Sequence, residues 1–121
     1  MKKLLFHFLN IIFILLYVFP GSILGFFIYS DFNKQPQLTP NFIVSSNHAW
    51  SFLLFSLLGI LIYQKNKNKL IFYLFSISII LELLHLVIPN RSFQFSDLFG
   101  NIAGVLISLI VLILINFWRK K

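Results

Sequence analysis

The chain has 121 residues, of which 59% are hydrophobic and only 11% are charged. A soluble domain has about 25% charged residues, so this composition excludes an ordinary soluble globular domain and indicates a membrane protein. The net charge of +7 comes mainly from short Lys/Arg clusters beside apolar runs, which argues against nucleic-acid binding. Because the chain has no cysteine, a disulfide framework and thiolate metal ligands are excluded as well.

Four apolar runs are long enough, or nearly so, to cross the roughly 30 Å apolar core of a bilayer as helices. They cover about 4–29, 48–63, 70–88 and 98–117. Pro20 is expected to kink the first helix, and Gly21 with Gly25 provides a small-residue face on which another helix can lie closely. The prediction is an all-α membrane protein with four transmembrane helices in a single domain over 1–121.

The distribution of basic residues predicts the orientation of these helices. Four helices bring both termini and the 64–69 loop to one side, which then carries eight of the ten Lys and Arg residues. The 30–47 and 89–97 loops on the other side carry only Lys34 and Arg91. The positive-inside rule therefore predicts a multi-pass protein of the cytoplasmic (inner) membrane with cytoplasmic N- and C-termini.

Polar residues gather near the predicted outer ends of the third and fourth helices. An ionisable group within a membrane helix costs about 2.5–3.5 kcal/mol, so it needs a compensating partner or a function. The residues concerned are Glu82, His85, Arg91, Asp97 and Asn101. Glu82 and His85 share one helical face, and Asp97 favours the positive end of the fourth helix, for which Ser96 is the expected N-cap.

Two further features of this region bear on packing and metal binding. Gly100 and Gly104 recur at four-residue spacing and let another helix approach the fourth one closely. His48 of the second helix could meet Glu82, His85 and Asp97 around a metal ion. These residues come from three different helices, so spacing alone does not establish such a site. Neither a metal nor a cofactor is predicted.

The segment Glu82-Leu-Leu-His85-Leu-Val-Ile-Pro89-Asn-Arg91-Ser-Phe93-Gln-Phe-Ser-Asp97-Leu-Phe-Gly-Asn101-Ile-Ala-Gly104 resembles the signature of the VanZ-like family of small membrane proteins. The matching positions are Glu82, Pro89, Arg91, Phe93, Asp97, Asn101 and Gly104, and His85 stands where the family usually has glutamine. The resemblance covers about residues 47–112. Its upstream part departs from the family, because Asn47, His48 and Ser51 replace an aspartate–lysine–histidine set.

This resemblance implies a location more firmly than a reaction. The family is named after a protein linked to resistance to teicoplanin, a glycopeptide antibiotic that acts outside the cytoplasmic membrane. We therefore expect a cell-envelope protein whose outer polar pocket binds a membrane lipid, a lipid-linked envelope precursor or a lipoglycopeptide. Arg91 would pair with a phosphate or carboxylate, Asp97 and Asn101 would supply hydrogen bonds, and Glu82 with His85 would lie beneath them.

Three alternatives stay open at the level of the sequence. The polar residues could merely hold helices together in a non-catalytic accessory subunit. A membrane-embedded enzyme could use Glu82 or His85 as a general base, although no nucleophile elbow, phosphate loop or complete metal-ligand set supports catalysis. A small proton-coupled transporter could use Glu82, although the first helix carries no acidic residue. The oligomeric state is left open.

Overall fold

The computed structural model describes residues 1–37, 39–41 and 43–120, and this part of the chain is helical with no strand. The helices are α1 (Lys2–Val18), α2 (Ile23–Tyr29), α3 (Ser46–Ile62), α4 (Lys67–Leu84) and α5 (Phe95–Arg119), with a 3₁₀ turn at Gln64–Asn66. The all-α prediction is confirmed. Leu38 and Phe42 of the predicted outer loop, and Lys121 of the C-terminal basic cluster, lie outside the described residues.

The first apolar run does not form one kinked helix over 4–29, as predicted, but two helices that meet at 84°. The residue before a proline is disfavoured in the helical region, and Phe19 adopts an extended conformation with φ −66° and ψ 134°. Gly21 then takes φ +135°, which side-chain-bearing residues rarely adopt. Ser22 caps α2 by accepting a hydrogen bond from Gly25 N at 2.9 Å.

The break changes what lies against Gly21 and Gly25. We predicted another helix, but the nearest atoms belong to the loop after α2: the Phe32 carbonyl at Gly21, and the backbone of Asp31 and Lys34 at Gly25. Ser22 N donates to Phe32 O at 2.8 Å, so the chain after α2 folds back over the junction. These glycines therefore let a loop approach the broken helix closely.

The ends of α4 and α5 also differ from the predicted 70–88 and 98–117 bounds. The α-helix of α4 ends at Leu84, and residues 85–87 continue as turns with i to i−3 hydrogen bonds. Pro89 has no N–H to donate to the carbonyl of His85, so the α-helical ladder cannot continue there. Ser96 is not the N-cap of α5; Gln94 is, and the Ser96 carbonyl instead accepts from Ser45 N at 3.1 Å.

One helix among the described residues, α5, is clearly long and apolar enough to cross a membrane. The α1–α2 pair qualifies as a second span if the two bent helices are taken together, and α3 is apolar but shorter. Three charged residues lie on α4: Lys67, Lys69 and Glu82. The arrangement of four transmembrane helices stays a prediction.

Close packing of α3 on α5 is the main helix contact of the fold. A Cβ atom at Gly104 would lie 2.5 Å from Ala49 O and 2.8 Å from Leu53 N. One at Gly100 would lie 2.8 Å from Ser45 O and 3.2 Å from His48 Cβ. The backbones of the two helices therefore touch, and this contact fixes the N-terminal end of α3 against the N-terminal end of α5.

Candidate functional site

The predicted polar residues meet at one end of the helix bundle, where α1 and α4 end and α3 and α5 begin. The residues brought together there are His48, Glu82, His85, Arg91, Asp97 and Asn101. Glu82 and Asn101 are fully buried, and His85 is 2% exposed. Burial of this many polar groups is costly unless each has a partner.

Glu82 occupies the centre of the site. Its Oε1 accepts a hydrogen bond from Gln94 N at 3.2 Å. Its Oε2 is buried and accepts no hydrogen bond among the described residues. The nearest basic atoms are His85 Nδ1 at 3.2 Å and His48 Nε2 at 3.7 Å. One carboxylate oxygen is thus satisfied by the backbone at the start of α5, and the other faces two imidazoles.

The hydrogen bond of His85 fixes which of its nitrogens carries a proton. His85 Nε2 lies 2.9 Å from Tyr17 O, and a carbonyl oxygen can only accept, so Nε2 must donate. In the neutral imidazole, Nδ1 then presents a lone pair to Glu82 Oε2. A carboxylate oxygen and a nitrogen lone pair repel each other at 3.2 Å. A positive charge, either a proton or a cation, is therefore required near this pair.

His48 connects Glu82 to Asp97. Its Nδ1 lies 2.9 Å from Ser45 Oγ and 3.6 Å from Asp97 Oδ1. One ligand atom each from His48, Glu82 and Asp97 lies within 4.8 Å of the others, a set that can hold a metal ion. The three side chains come from α3, α4 and α5, so the fold supplies the juxtaposition that sequence spacing left undecided.

Arg91 has a structural role that the sequence did not predict. Its Nε donates to Phe19 O at 3.0 Å, and its Nη2 donates to Leu16 O at 3.1 Å and to Gly21 O at 2.6 Å. A cation is favourable beside the free carbonyls at the C-terminus of a helix, so Arg91 caps α1 where Pro20 interrupts it. Burial lowers the pKa of Arg91, but a guanidinium stays protonated in proteins.

Tyr17 of α1 is a central residue that the sequence reasoning missed. Its hydroxyl donates to Asn101 Oδ1 at 3.1 Å, and Asn101 Nδ2 donates to Ser78 O at 2.9 Å. The Tyr17 ring also packs against the rings of His48 and His85. A tyrosine in the middle of an apolar run was the available signal, because a buried hydroxyl usually has a partner. Asn101 thus joins α1, α4 and α5.

Two cavities open beside these side chains. Gln35, Arg91 and Asp97 line both, and the larger has a volume of about 340 Å³. The polar residues lining the larger cavity are Tyr17, Gln35, Gln37, Asn41, Ser45, Asn47, His48, Ser51, Arg91 and Asp97. The apolar residues lining it are Phe13 and Leu16 of α1 and Leu24 of α2. The loop amides were not predicted as site residues; their density in 30–47 was the signal.

The degenerate upstream element contributes to this cavity in an unexpected way. Asn47 Nδ2 donates to Pro36 O at 2.8 Å and so ties the loop to the start of α3. Ser51 Oγ donates to Asn47 O at 2.7 Å. His48 is the member of this element that reaches both carboxylates.

Comparison with known proteins yields one match. The family model described as VanZ/LLP1 matches residues 4–116, which is nearly the whole chain. No curated protein and no solved structure matches. The match extends beyond the 47–112 region of the resemblance and includes α1 with Tyr17.

Proposed function

Because the chain belongs to the VanZ/LLP1 family, we propose that it is a multi-pass protein of the cytoplasmic membrane whose extracytoplasmic pocket binds the head group of an amphiphile. The observation that carries the proposal is the larger cavity, which is lined both by polar side chains from the helix ends and the 30–47 loop and by apolar side chains of α1 and α2. A site of this kind matches a molecule with a polar head and an apolar tail.

The surface of the helices supports the membrane part of the proposal. Large apolar side chains are exposed along the outer faces of the bundle, among them Phe8 on α1, Phe72 on α4 and Ile113 on α5. Soluble monomers rarely expose contiguous apolar surface of this extent. The basic residues at 2–3, 65–69 and 119–120 lie at the opposite end of the helices from the cavity, which corresponds to a cytoplasmic end under the positive-inside rule.

Arg91 and two helix N-termini give the cavity groups that can bind an anionic head group, although Asp97 on the same lining carries a negative charge. The N-termini of α3 and α5, which both begin beside it, carry partial positive charge. Arg91 lines the cavity, and its Nη1 makes no hydrogen bond to the described residues, so it remains available for a phosphate or carboxylate oxygen. Gln35 and Gln37 add amide groups for hydroxyls of the head.

The size of the cavity sets a limit on what it encloses. Ligand pockets span about 300–1,000 Å³, and about 340 Å³ here lies at the small end of that range. The pocket therefore encloses a head group and the first atoms of a tail, and the rest of the tail lies along α1 and α2 in the lipid. Membrane lipids, lipid-linked envelope precursors and lipoglycopeptides share this chemistry.

Binding to the purified full chain in neutral detergent tests the proposal. The probe is a fluorescent short-chain phosphatidylglycerol, with the matching diacylglycerol as a probe that lacks the phosphate. Gln35→Trp places a large side chain in both cavities from an exposed loop position. We expect at least a tenfold loss of affinity, equivalent to about 1.4 kcal/mol. Asn68→Trp, at an exposed position in the first turn of α4 at the other end of the bundle, is the matched control and should bind as the wild type.

Two results would overturn the proposal. Equal affinity for diacylglycerol would show that the head group is not recognised, and unchanged binding by Gln35→Trp would show that the cavity is not the binding site. Competition distinguishes the sources of the ligand. Displacement of the probe by teicoplanin would identify a lipoglycopeptide as the ligand. Displacement only by phospholipids or polyprenyl phosphates would identify a lipid as the ligand.

The proposed orientation has its own test, since the chain has no native cysteine. Gln94 is exposed at the start of α5, so Gln94→Cys should react with a membrane-impermeant maleimide added to cells whose cytoplasmic membrane is intact. Labelling that appears only after permeabilisation would place the pocket in the cytoplasm and contradict the proposed orientation.

A further inference from the structure

We propose that His48, Glu82 and Asp97 form a binding site for a divalent transition-metal ion such as Zn²⁺ at the base of the pocket. Their ligand atoms already lie within 4.8 Å of one another. Ligands of one ion at 2.0–2.2 Å are separated by roughly 3–3.5 Å. A contraction of about 1 Å, within the range of side-chain rotation, would complete the set.

The second observation is the buried and unpartnered oxygen of Glu82. Glu82 has no exposed surface, and its Oε2 accepts no hydrogen bond from the described residues. This oxygen points to His48 Nε2 at 3.7 Å and to His85 Nδ1 at 3.2 Å. A buried carboxylate oxygen that faces two nitrogens needs positive charge near it, and a divalent cation bound to Glu82 Oε2 and His48 Nε2 supplies that charge.

His48 is oriented as a metal ligand usually is. Histidine ligands bind the ion with one ring nitrogen and hydrogen-bond with the other. Ser45 Oγ lies 2.9 Å from His48 Nδ1, so this bond fixes the ring and leaves Nε2 facing Glu82. Ser45 itself is held where its carbonyl lies against Gly100, at the closest approach of α3 to α5.

The donor set narrows the kind of ion. One imidazole and two carboxylates suit Zn²⁺, a borderline ion, or the harder Mn²⁺, and the lack of a thiolate disfavours Cu(I). Three protein ligands leave at least one position open. His48 and Asp97 line the larger cavity, so the open position faces the bound head group. In this last step, which rests on the proposed function, the ion binds a phosphate oxygen of that head group.

Metal titration of the EDTA-stripped full chain, without added lipid, tests the site. Calorimetry and elemental analysis should find one Zn²⁺ per chain, and His48→Ala and Asp97→Asn should each weaken binding at least tenfold. The chain offers matched controls. His7 bonds to Tyr63 away from the site, and Asp31 lies in the loop after α2. His7→Ala and Asp31→Asn should bind as the wild type.

A spectroscopic measurement separates loss of a ligand from loss of folding. Co²⁺ bound to the wild type should give visible d–d absorption that changes in His48→Ala, while gel filtration shows both chains to be monodisperse. Absence of stoichiometric Zn²⁺ and Mn²⁺ from the wild type would overturn the inference, because a proton would then occupy the Glu82–His85 pair. Wild-type affinity for Zn²⁺ in both His48→Ala and Asp97→Asn would overturn it as well.

Phosphatidylglycerol binding with and without Zn²⁺ separates this inference from the proposed function. We expect the affinity to fall at least tenfold after EDTA treatment and to return on adding Zn²⁺. If the affinity for phosphatidylglycerol is the same with and without Zn²⁺, the ion does not bind the phosphate of the head group, and the proposed pocket is unaffected. If Zn²⁺ binds and no lipid does, the metal site stands and the proposed function is wrong.

Discussion

Because the backbones of α3 and α5 touch, we expect one added methyl group at their contact to destabilise the fold. In Gly104→Ala the new Cβ would lie 2.5 Å from Ala49 O, 2.8 Å from Leu53 N and 2.8 Å from Phe52 Cβ. Two of these three atoms belong to the backbone of α3, so no side-chain rotation relieves the contact. Helix α3 must move away by about 1 Å to restore ordinary van der Waals distances of 3.5–4.0 Å.

The expected size of the effect is the difference between two terms. Overpacking of a close contact costs about 1–3 kcal/mol, and Gly to Ala in a helix interior gains about 1 kcal/mol of helix propensity. Because the obstructing atoms are mostly backbone, the upper part of the first range applies, and the net loss should be about 1–2 kcal/mol. Gly59→Ala is the matched control. Its Cβ would meet only side-chain atoms, Phe6 Cε2 at 2.9 Å and Leu70 Cδ2 at 3.2 Å.

Thermal unfolding in detergent, followed by circular dichroism, measures this difference. Gly104→Ala should lower Tm by several degrees, whereas Gly59→Ala should leave it unchanged or raise it slightly because propensity outweighs a contact that side chains can relieve. If Gly104→Ala raises Tm as much as Gly59→Ala does, the backbones of α3 and α5 do not touch. The geometry of the pocket, which depends on that contact, would then be wrong too.

Three further substitutions test the bonds around the site. Tyr17→Phe removes the donor to Asn101 and should cost about 1–2 kcal/mol in thermal unfolding; no loss would mean that the hydroxyl is not buried there. Arg91→Lys keeps the charge but not the three carbonyl bonds, so limited proteolysis at the α1–α2 junction should accelerate, and unchanged cleavage would contradict the capping role. Glu82→Gln supplies an amide N–H that can donate a hydrogen bond to His85 Nδ1. Tm should therefore stay unchanged, while the affinity for Zn²⁺ falls at least tenfold. A large drop in Tm would show that the charged carboxylate is needed for folding.

The sequence predicted the helical runs well where composition alone decides, and less well where the backbone must break. Helices α3 and α5 cover the second and fourth apolar runs because these contain no proline. Pro20 lies within the first run and Pro89 directly follows the third. Helices α1 and α4 each end before the proline. The pattern indicated a kink at Pro20, but the 84° turn depends on the positive φ of Gly21 and on Arg91. Those are tertiary features.

The ionisable members of the candidate site and Asn101 were predictable from the sequence, but Tyr17, the loop amides and the pairing of the members were not. Because a polar group within the membrane is costly without a partner, the sequence indicated that Glu82, His85, Asp97 and Asn101 lie together. The same reasoning assigned Arg91 to a ligand but did not predict that its Nε and Nη2 donate to carbonyls 70–75 residues away in the sequence. Tyr17 escaped notice because its partner Asn101 is 84 residues away. Contacts of such separation have no local signature.

Packing and chemistry in this protein depend on the same few atoms. The missing Cβ of Gly100 admits both the Ser45 carbonyl and the His48 Cβ, and the Ser45 hydroxyl in turn lies 2.9 Å from His48 Nδ1. Arg91, Asn101 and His85 hold helix ends together, which leaves His48, Asp97 and one oxygen of Glu82 to face the cavity or one another. The division explains how so apolar a chain supports a polar site. Arg91, Asn101 and His85 each donate a hydrogen bond to a backbone carbonyl of another helix or of the α1–α2 junction, and the contact of α3 with α5 keeps the remaining three ligand atoms within 4.8 Å.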